Sequence, residues 1–304
     1  MKKKLCFYTF LASLLCSGII FSQNRGLIVV NIGYDNGGTG QLIDGITKPG
    51  DIVVRAQGAG IAGSCVIING VSYELFYIPV GILCPDVKCY LSGGMILDAE
   101  LFFNELASLQ KKGIKNIKER LRVSMSVHLV MPYHRLIDDQ ATAAGHTRKG
   151  TILRSGIRSA AADKRFGIGI RLADLYAQDF DKLLKNAVKR ANDVLVKMYQ
   201  QKPLDYELLL KEYKEYAKQF APFVRDQVEL KLNLLLAQHS GPRIIFESSY
   251  GTLYDVSHGG YPYTSVECTT AAGICAQAGV GPTRIGHTLG QVNAYATMYG
   301  QGPF

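Results

Sequence analysis

The sequence predicts an α/β fold with a mostly parallel central sheet flanked by helices. Three observations predict it. Short apolar runs end in glycine turns, segments of helical periodicity lie between them, and the first run, GLIVV, leads into the glycine-rich stretch NIGYDNGGTGQLID at 31–44. A buried strand, a glycine turn and a helix-compatible segment form the layout of a phosphate cradle, because unpaired N–H groups at a helix start hold an anion. No lysine stands in this one.

The chain opens on MKKKLCFYTFLASLLCSGIIFSQ, a basic start, an apolar stretch over 5–21 and a small residue, Ser22. This is the three-part pattern of a secretory signal cleaved after Ser22, which predicts an exported protein over 23–304. Left uncleaved, the segment is a membrane anchor; if it is not a working signal, the protein is cytoplasmic. Leu15 is too bulky to precede a lipid-bearing cysteine at Cys16.

With 304 residues, 47% of them hydrophobic and 19% charged, the chain buries a large core in one large domain or two small ones. The net charge of +9 includes Lys2, Lys3 and Lys4, and most other lysines lie among acidic residues between 111 and 231. These are solvated helix faces, and without a basic stripe interleaved with aromatics they point to no nucleic-acid partner.

DIVVRAQGAG, CVIING, YELFYIP and CYLSGG read as strands or strand ends. DAELFFNELASLQKKG reads as a helix started by Asp98 and stopped by Gly113, and VSMSVHLVMPYHRLID as a return to strand and turn. Residues 179–241 form a helical region broken at QKPLD and FAPFV. PRIIFESSYGTLYDV restores a buried strand and a turn, and the remainder is rich in small residues. Cys65, Cys84, Cys89, Cys268 and Cys275 lie beyond the signal, an odd number without nearby zinc-type histidines; buried free thiols are expected, with Cys84/Cys89 and Cys268/Cys275 as the pairs to check.

Several stretches together resemble adenylosuccinate synthetases: GYDNGGTGQLID, DIVVRAQGAGIAGSCVIING, VGILCP, VHLVMPYHRLID, GTILRSGIRSAAADKRFGIGIRLADL, FESSYGTLYDVSHGGYPYTS, GVGPTRIG and AYATMYGQGPF, in the family's order over 27–304. The resemblance implies a fold related to P-loop NTPases and a homodimer. It also implies a GTP- and magnesium-dependent ligation of inosine monophosphate (IMP) and aspartate in purine biosynthesis. Family members continue for roughly a further third of their length beyond the position of Phe304, in the part that binds aspartate and guanine.

Against the family pattern QWGDEGKGK, Asn36 stands on the catalytic aspartate, which also contacts magnesium, while Thr39 and Gln41 replace two lysines. An amide has negligible basicity and weak affinity for a hard cation, so Asp35 is the candidate substitute base. GAGIAGSC in place of GGNNAGHT puts Ser64 on the catalytic histidine, Gly60 on an IMP-contacting asparagine, and Gly63 on a position near nucleotide and metal. A serine hydroxyl brings no positive charge to phosphoryl transfer.

Gly37, Gly38, Thr39, Gly40, Gly63, Thr151, Ile152, Tyr250 and Ser265 are the nucleotide-binding positions implied by the resemblance. Ile152 replaces a threonine, Tyr250 a glutamine, and Gly167 an arginine lent across the dimer to a partner's phosphate, so affinity for IMP is expected to fall. His134 and His258 are read as hydrogen-bonded structural histidines, and Asp163 with Lys164 as a local ion pair. The chain is thus expected to be catalytically impaired. The alternative function is an exported pseudoenzyme that binds a nucleotide or a protein.

Overall fold

Buried strands that alternate between two apolar faces decide the architecture. In β1 (Gly26–Asn31), Leu27 and Val29 enter one core while Ile28 and Val30 enter another. A strand buried on both faces needs helices on both sides, which is the condition of a parallel sheet. The computed structural model describes residues 26–34, 37–58, 63–146 and 155–294.

From β1 the chain passes through the glycine loop into α1 (Thr39–Ile46) and β2 (Ile52–Arg55). The hairpin β3 (Ser64–Ile68) and β4 (Val71–Leu75) follows, then β5 (Lys88–Leu91), β6 (Ile96–Leu97), α2 (Ala99–Lys111), α3 (Ile117–Arg120) and β7 (Leu121–Ser124). Next come β8 (His128–Leu129), α4 (Pro132–Ala143), α5 (Ile157–Phe166), α6 (Phe180–Lys197), α7 (Tyr206–Phe220), β9 (Val224–Arg225), α8 (Val228–Ala237), β10 (Ile244–Gly251), α9 (Ala271–Ala278) and β11 (Ile285–Gln291).

Seven strands make the central sheet in the order β11-β1-β10-β2-β5-β7-β9, and every pair in it is parallel. The chain moves outward from β2 to β9, returns to insert β10 between β2 and β1, and ends with β11 on the far side of β1. That reversal puts the loop after β1 at a topological switch point, the crevice in which open α/β sheets bind ligands. One face of the sheet packs on α1, α2, α6 and α7 through Ile43, Phe102, Leu184 and Phe220. The other packs on α8 and α9 through Leu232 and Ile274.

The predicted α2 is present at both ends. The Asp98 carboxylate accepts the Leu101 N–H at 3.2 Å, and Gly113 takes φ +88° just past the last turn, as a helix stop requires. CVIING and YELFYIP do form strands, but as an antiparallel hairpin outside the central sheet. Asn69 and Gly70, both at positive φ, make its two-residue turn.

Three expectations need correction. PYHRLID is the start of α4 and not a turn: Pro132 occupies its first position, where no N–H is needed, and His134 Nδ1 accepts the Met131 N–H at 3.0 Å. The helical region at 179–241 contains one sheet strand, β9, and the small-residue tail yields α9 and β11. The described cysteines are all free, as expected, but only Cys89 and Cys275 are buried, while Cys65 is exposed. Among the described residues no helix is long and apolar enough to cross a membrane, and the segment expected to be an N-terminal signal lies outside them.

Glu105, on α2, anchors the chain that leaves β4. Its two carboxylate oxygens accept the N–H groups of Phe76, Tyr77 and Ile78 at 3.1, 2.9 and 2.9 Å. Glu105→Ala leaves three buried donors unsatisfied. The expected loss is about 3 kcal/mol of unfolding free energy in urea titrations at pH 7, with an unchanged m-value.

Candidate functional site

At the carboxyl end of β1, Gly38 caps α1 at φ +78°, and no side chain bonds to the helix start. A left-handed cap without a side-chain acceptor leaves the first-turn N–H groups without a capping side chain, an arrangement that an anion fits. Gln291, at the end of β11, latches the loop by donating from Nε2 to the Gly37 carbonyl at 2.7 Å. Thr39 Oγ1 and Asn31 Nδ2 are buried beside this turn without hydrogen-bond partners. Two orphaned polar atoms at a helix N-terminus mark a place where a ligand or water supplies the missing bonds.

Ser64 comes next to the cradle by packing. A side chain begun at Gly40 would meet the Ser64 Cβ at 2.9 Å, so only glycine lets α1 approach β3 this closely. The serine hydroxyl is buried and accepts from Arg55 Nη2 at 3.1 Å. Gln41, on the second lysine position, is also engaged, its Oε1 accepting the Ile67 N–H at 3.1 Å. Gly63 lies under the Phe76 ring, whose nearest atom is 2.7 Å from where a Cβ would stand.

The Arg55 guanidinium, fully buried, organises this corner. Nε bonds Glu247 Oε1 at 2.5 Å, and Nη1 donates to the carbonyls of Leu75 at 3.2 Å and Phe76 at 2.5 Å. Glu247 Oε2 accepts the Val80 N–H at 3.0 Å. Burial pushes the Glu247 carboxyl above its ordinary range, and the adjacent guanidinium pulls it back.

Tyr250 and Ser265 lie beside the cradle but face inward. Asn31 pairs with Gly251 in the sheet, so Tyr250 sits at the root of the loop, buried, with its hydroxyl pKa raised by desolvation. The rings of Tyr34 and Tyr254 meet edge-on at 5.5 Å, and the Tyr254 carbonyl accepts the Ser265 N–H at 2.8 Å. The Ser265 hydroxyl closes a local turn, accepting from Glu267 N–H at 3.1 Å and donating to the Glu267 carbonyl at 3.0 Å.

The structure therefore gathers Gly37, Gly38, Thr39, Gly40, Gly63, Ser64, Tyr250 and Ser265 at one sheet edge. Asp35, Asn36, Gly60, Thr151 and Ile152 lie outside the described residues. Gly167 is elsewhere, the left-handed cap of α5 at φ +73°, beside a cleft of about 480 Å³. Among residues 31–34 and 37–41 no carboxylate faces the cradle, and no metal-binding cluster occurs among the described residues. The backbone donors described there suit a phosphate.

Two further expectations change. Asp163 and Lys164 do not pair with each other: Asp163 Oδ2 meets His134 Nε2 at 3.1 Å, while Lys164 Nζ donates to the carbonyls of Gly93 and Gly94 at 3.3 and 2.9 Å. His134 is the structural histidine expected. His258 contributes its backbone N–H to Asp255 Oδ1 at 3.0 Å, and the residue is exposed. Sequence reasoning missed the partnership of Arg55 with Glu247. The available signal was a charge in each of two otherwise apolar strands, VVRAQ and IIFESS.

Because the pair is fully buried, Arg55→Met leaves an uncompensated carboxylate and should cost about 3–5 kcal/mol in urea unfolding. The double change Arg55→Met with Glu247→Leu should recover part of that loss, giving a coupling energy above about 1.5 kcal/mol in the mutant cycle.

The family model described as adenylosuccinate synthetase matches residues 28–304. The adenylosuccinate synthetase of Desulforamulus reducens is 38% identical over 280 residues, covering 91% of this chain and 64% of the relative. That of Pelotomaculum thermopropionicum is 36% identical with the same coverage of both chains. The solved structure of fully ligated adenylosuccinate synthetase from Plasmodium falciparum superposes with a TM-score of 0.81 at 24% identity, over 92% of this chain and 64% of that one. The chain thus spans less than two thirds of the length of these relatives.

Proposed function

The chain belongs to the adenylosuccinate synthetase family, and from that premise we propose that it binds a phosphate-bearing purine nucleotide through the backbone of residues 37–40 without performing the family's ligation. One observation carries this reading. The cradle keeps an uncapped helix start, while Ser64, on the catalytic histidine position, is engaged by Arg55 and Gln41, on a lysine position, by Ile67.

Backbone N–H groups attract a phosphate whatever side chains surround them. Catalysis of the family reaction needs more: a base at position 36 and a charged donor at position 64, to withdraw a proton and to stabilise developing negative charge. Asn36 is not a base, and the Ser64 hydroxyl is neutral and hydrogen-bonded to Arg55. IMP and GTP are the nucleotides the family name suggests. A homodimer is part of the same proposal, supported by the exposed Phe166 and Ile168 on either side of Gly167. So is export through the N-terminal segment, which a fusion of residues 1–24 to a reporter active only outside the cytoplasm tests directly.

The decisive measurement combines calorimetry with a product assay. GTP, IMP or pyrophosphate should bind saturably, and Gly38→Ala should weaken binding about tenfold or more by straining the left-handed cap. Asn36→Asp should make nucleotide binding magnesium-dependent, since a carboxylate again faces the cation. No adenylosuccinate should form from IMP, aspartate and GTP; appreciable turnover by the unaltered chain would overturn the non-catalytic reading.

A further inference from the structure

A second cavity, of about 630 Å³, lies over the turns that follow β5 and β7 and between α5 and α9. Its size is that of a small-molecule site. None of the residues assigned above to the nucleotide site lines it.

Its polar lining is incomplete. Glu267 is 5% exposed; its Oε2 accepts the Gly58 N–H at 2.9 Å, and its Oε1 has no partner. Gln277 Oε1 and His128 Nδ1, on the same wall system, are also buried without partners. Lys164 Nζ, the nearest ammonium on α5, spends two of its three N–H groups on the Gly93 and Gly94 carbonyls, and forms no ion pair with Glu267. The buried lining thus presents three acceptors, one of them a carboxylate without a bonded cation. At the mouth stand the exposed Arg165 and Arg171, and Glu229, whose Oε1 takes the Gly93 N–H at 2.7 Å.

We propose that this cavity binds a small zwitterion, its primary ammonium hydrogen-bonded to Glu267 Oε1 and Gln277 Oε1 and its acidic group held at the rim by Arg165 and Arg171. An ammonium has the three donors that the floor lacks, and it compensates a carboxylate that is costly to leave buried and unpaired. A simple anion would face Glu267, and a simple cation would pass Arg165 and Arg171, of which Arg171 is partly offset by Asp174 at 3.2 Å. The inference does not depend on nucleotide binding at residues 37–40.

The electrostatics agree. Burial raises the Glu267 carboxyl to about 7 against the opposing pull of nearby Lys164, burial lowers Lys164 against the pull of Glu267, and burial with the nearby Lys164 and Arg171 pushes His128 down to about 4, leaving an imidazole that accepts. The charged or titratable groups around Glu267 are Lys164 on α5, Tyr250 on β10, His128 on β8, and Glu229 on α8 across the cavity. An ammonium requires the ionised carboxylate. Below about pH 7 the ligand must displace a proton, so affinity should rise about tenfold per pH unit toward pH 7 and level off above it.

Titration calorimetry with four probes tests this: γ-aminobutyrate and 6-aminohexanoate as zwitterions, butyrate and butylamine as their halves. At least one zwitterion should bind with 1:1 stoichiometry, about tenfold or more tighter than either half, with proton release below pH 7. Glu267→Gln should weaken it about tenfold or more and abolish the pH dependence, and Arg171→Gln should weaken it while preserving that dependence. If Glu267→Gln fails to fold, Gln277→Leu replaces it, with a loss of about fivefold or more expected from the missing acceptor. No saturable heat with either zwitterion, which would mean that water alone fills the cavity, overturns the proposal. So does zwitterion binding that survives these changes or is matched by butyrate.

Discussion

The ion pair between Arg55 and Glu247 is the constraint on which the rest of this corner depends. Both groups are fully buried, and a buried guanidinium must satisfy all its donors within the protein. Arg55 places four of its five N–H groups by gathering four segments: β10 through Glu247, the end of β4 through the Leu75 carbonyl, the following turn through Phe76, and β3 through Ser64. Glu247 adds the segment at Val80. The two residues are also register partners, Arg55 at the carboxyl end of β2 and Glu247 in the middle of β10, so one interaction fixes where the loop after β2 departs.

The chain just beyond the pair carries that order forward. Gln57 Nε2 donates to Ser248 Oγ at 3.0 Å, and Ser249 Oγ donates to the Gln57 carbonyl at 2.5 Å. Gly58 then passes so close to Ser249 that a Cβ would lie 2.5 Å from its hydroxyl. With a glycine at φ +117°, the backbone turns toward Glu267, and the two halves of the site edge are sewn together. Asp255 does the same on the other side, its two oxygens accepting the N–H groups of Ser257, His258, Thr269 and Thr270. Asp255, with both oxygens used, stabilises backbone turns, and that role accounts for its burial.

What the sequence made legible was local in origin. The sheet was legible because strands buried on both faces are continuous apolar runs, and α2 because its cap and stop lie within 16 residues of each other, at 98 and 113. The cradle belongs to the same class, a strand and a glycine turn adjacent in the chain. The start of α4 was hidden because PYHRLID mixes a proline with polar residues, and its cap comes from the histidine three places on. Asp163 and Lys164 were misjudged for the complementary reason: neighbours on a helix point to different sides, and each found a partner contributed by another element. Packing across 29 and 71 residues of chain decided both, and no spacing in the sequence encodes it.

The same division separates what the site retains from what it has exchanged. The cradle rests on backbone geometry, which needs only Gly38 in a left-handed cap and Gly40 free of a side chain against Ser64, and both glycines are in place. At two of the positions where the family carries charge, neutral side chains bond to the scaffold, Gln41 to Ile67 and Ser64 to Arg55. Neutral groups are cheaper to hold beside a buried helix start than charges that lack their ligand. On the proposed reading, a cradle built in this way keeps its shape without a bound nucleotide to neutralise it, and a phosphate is held there by the main chain.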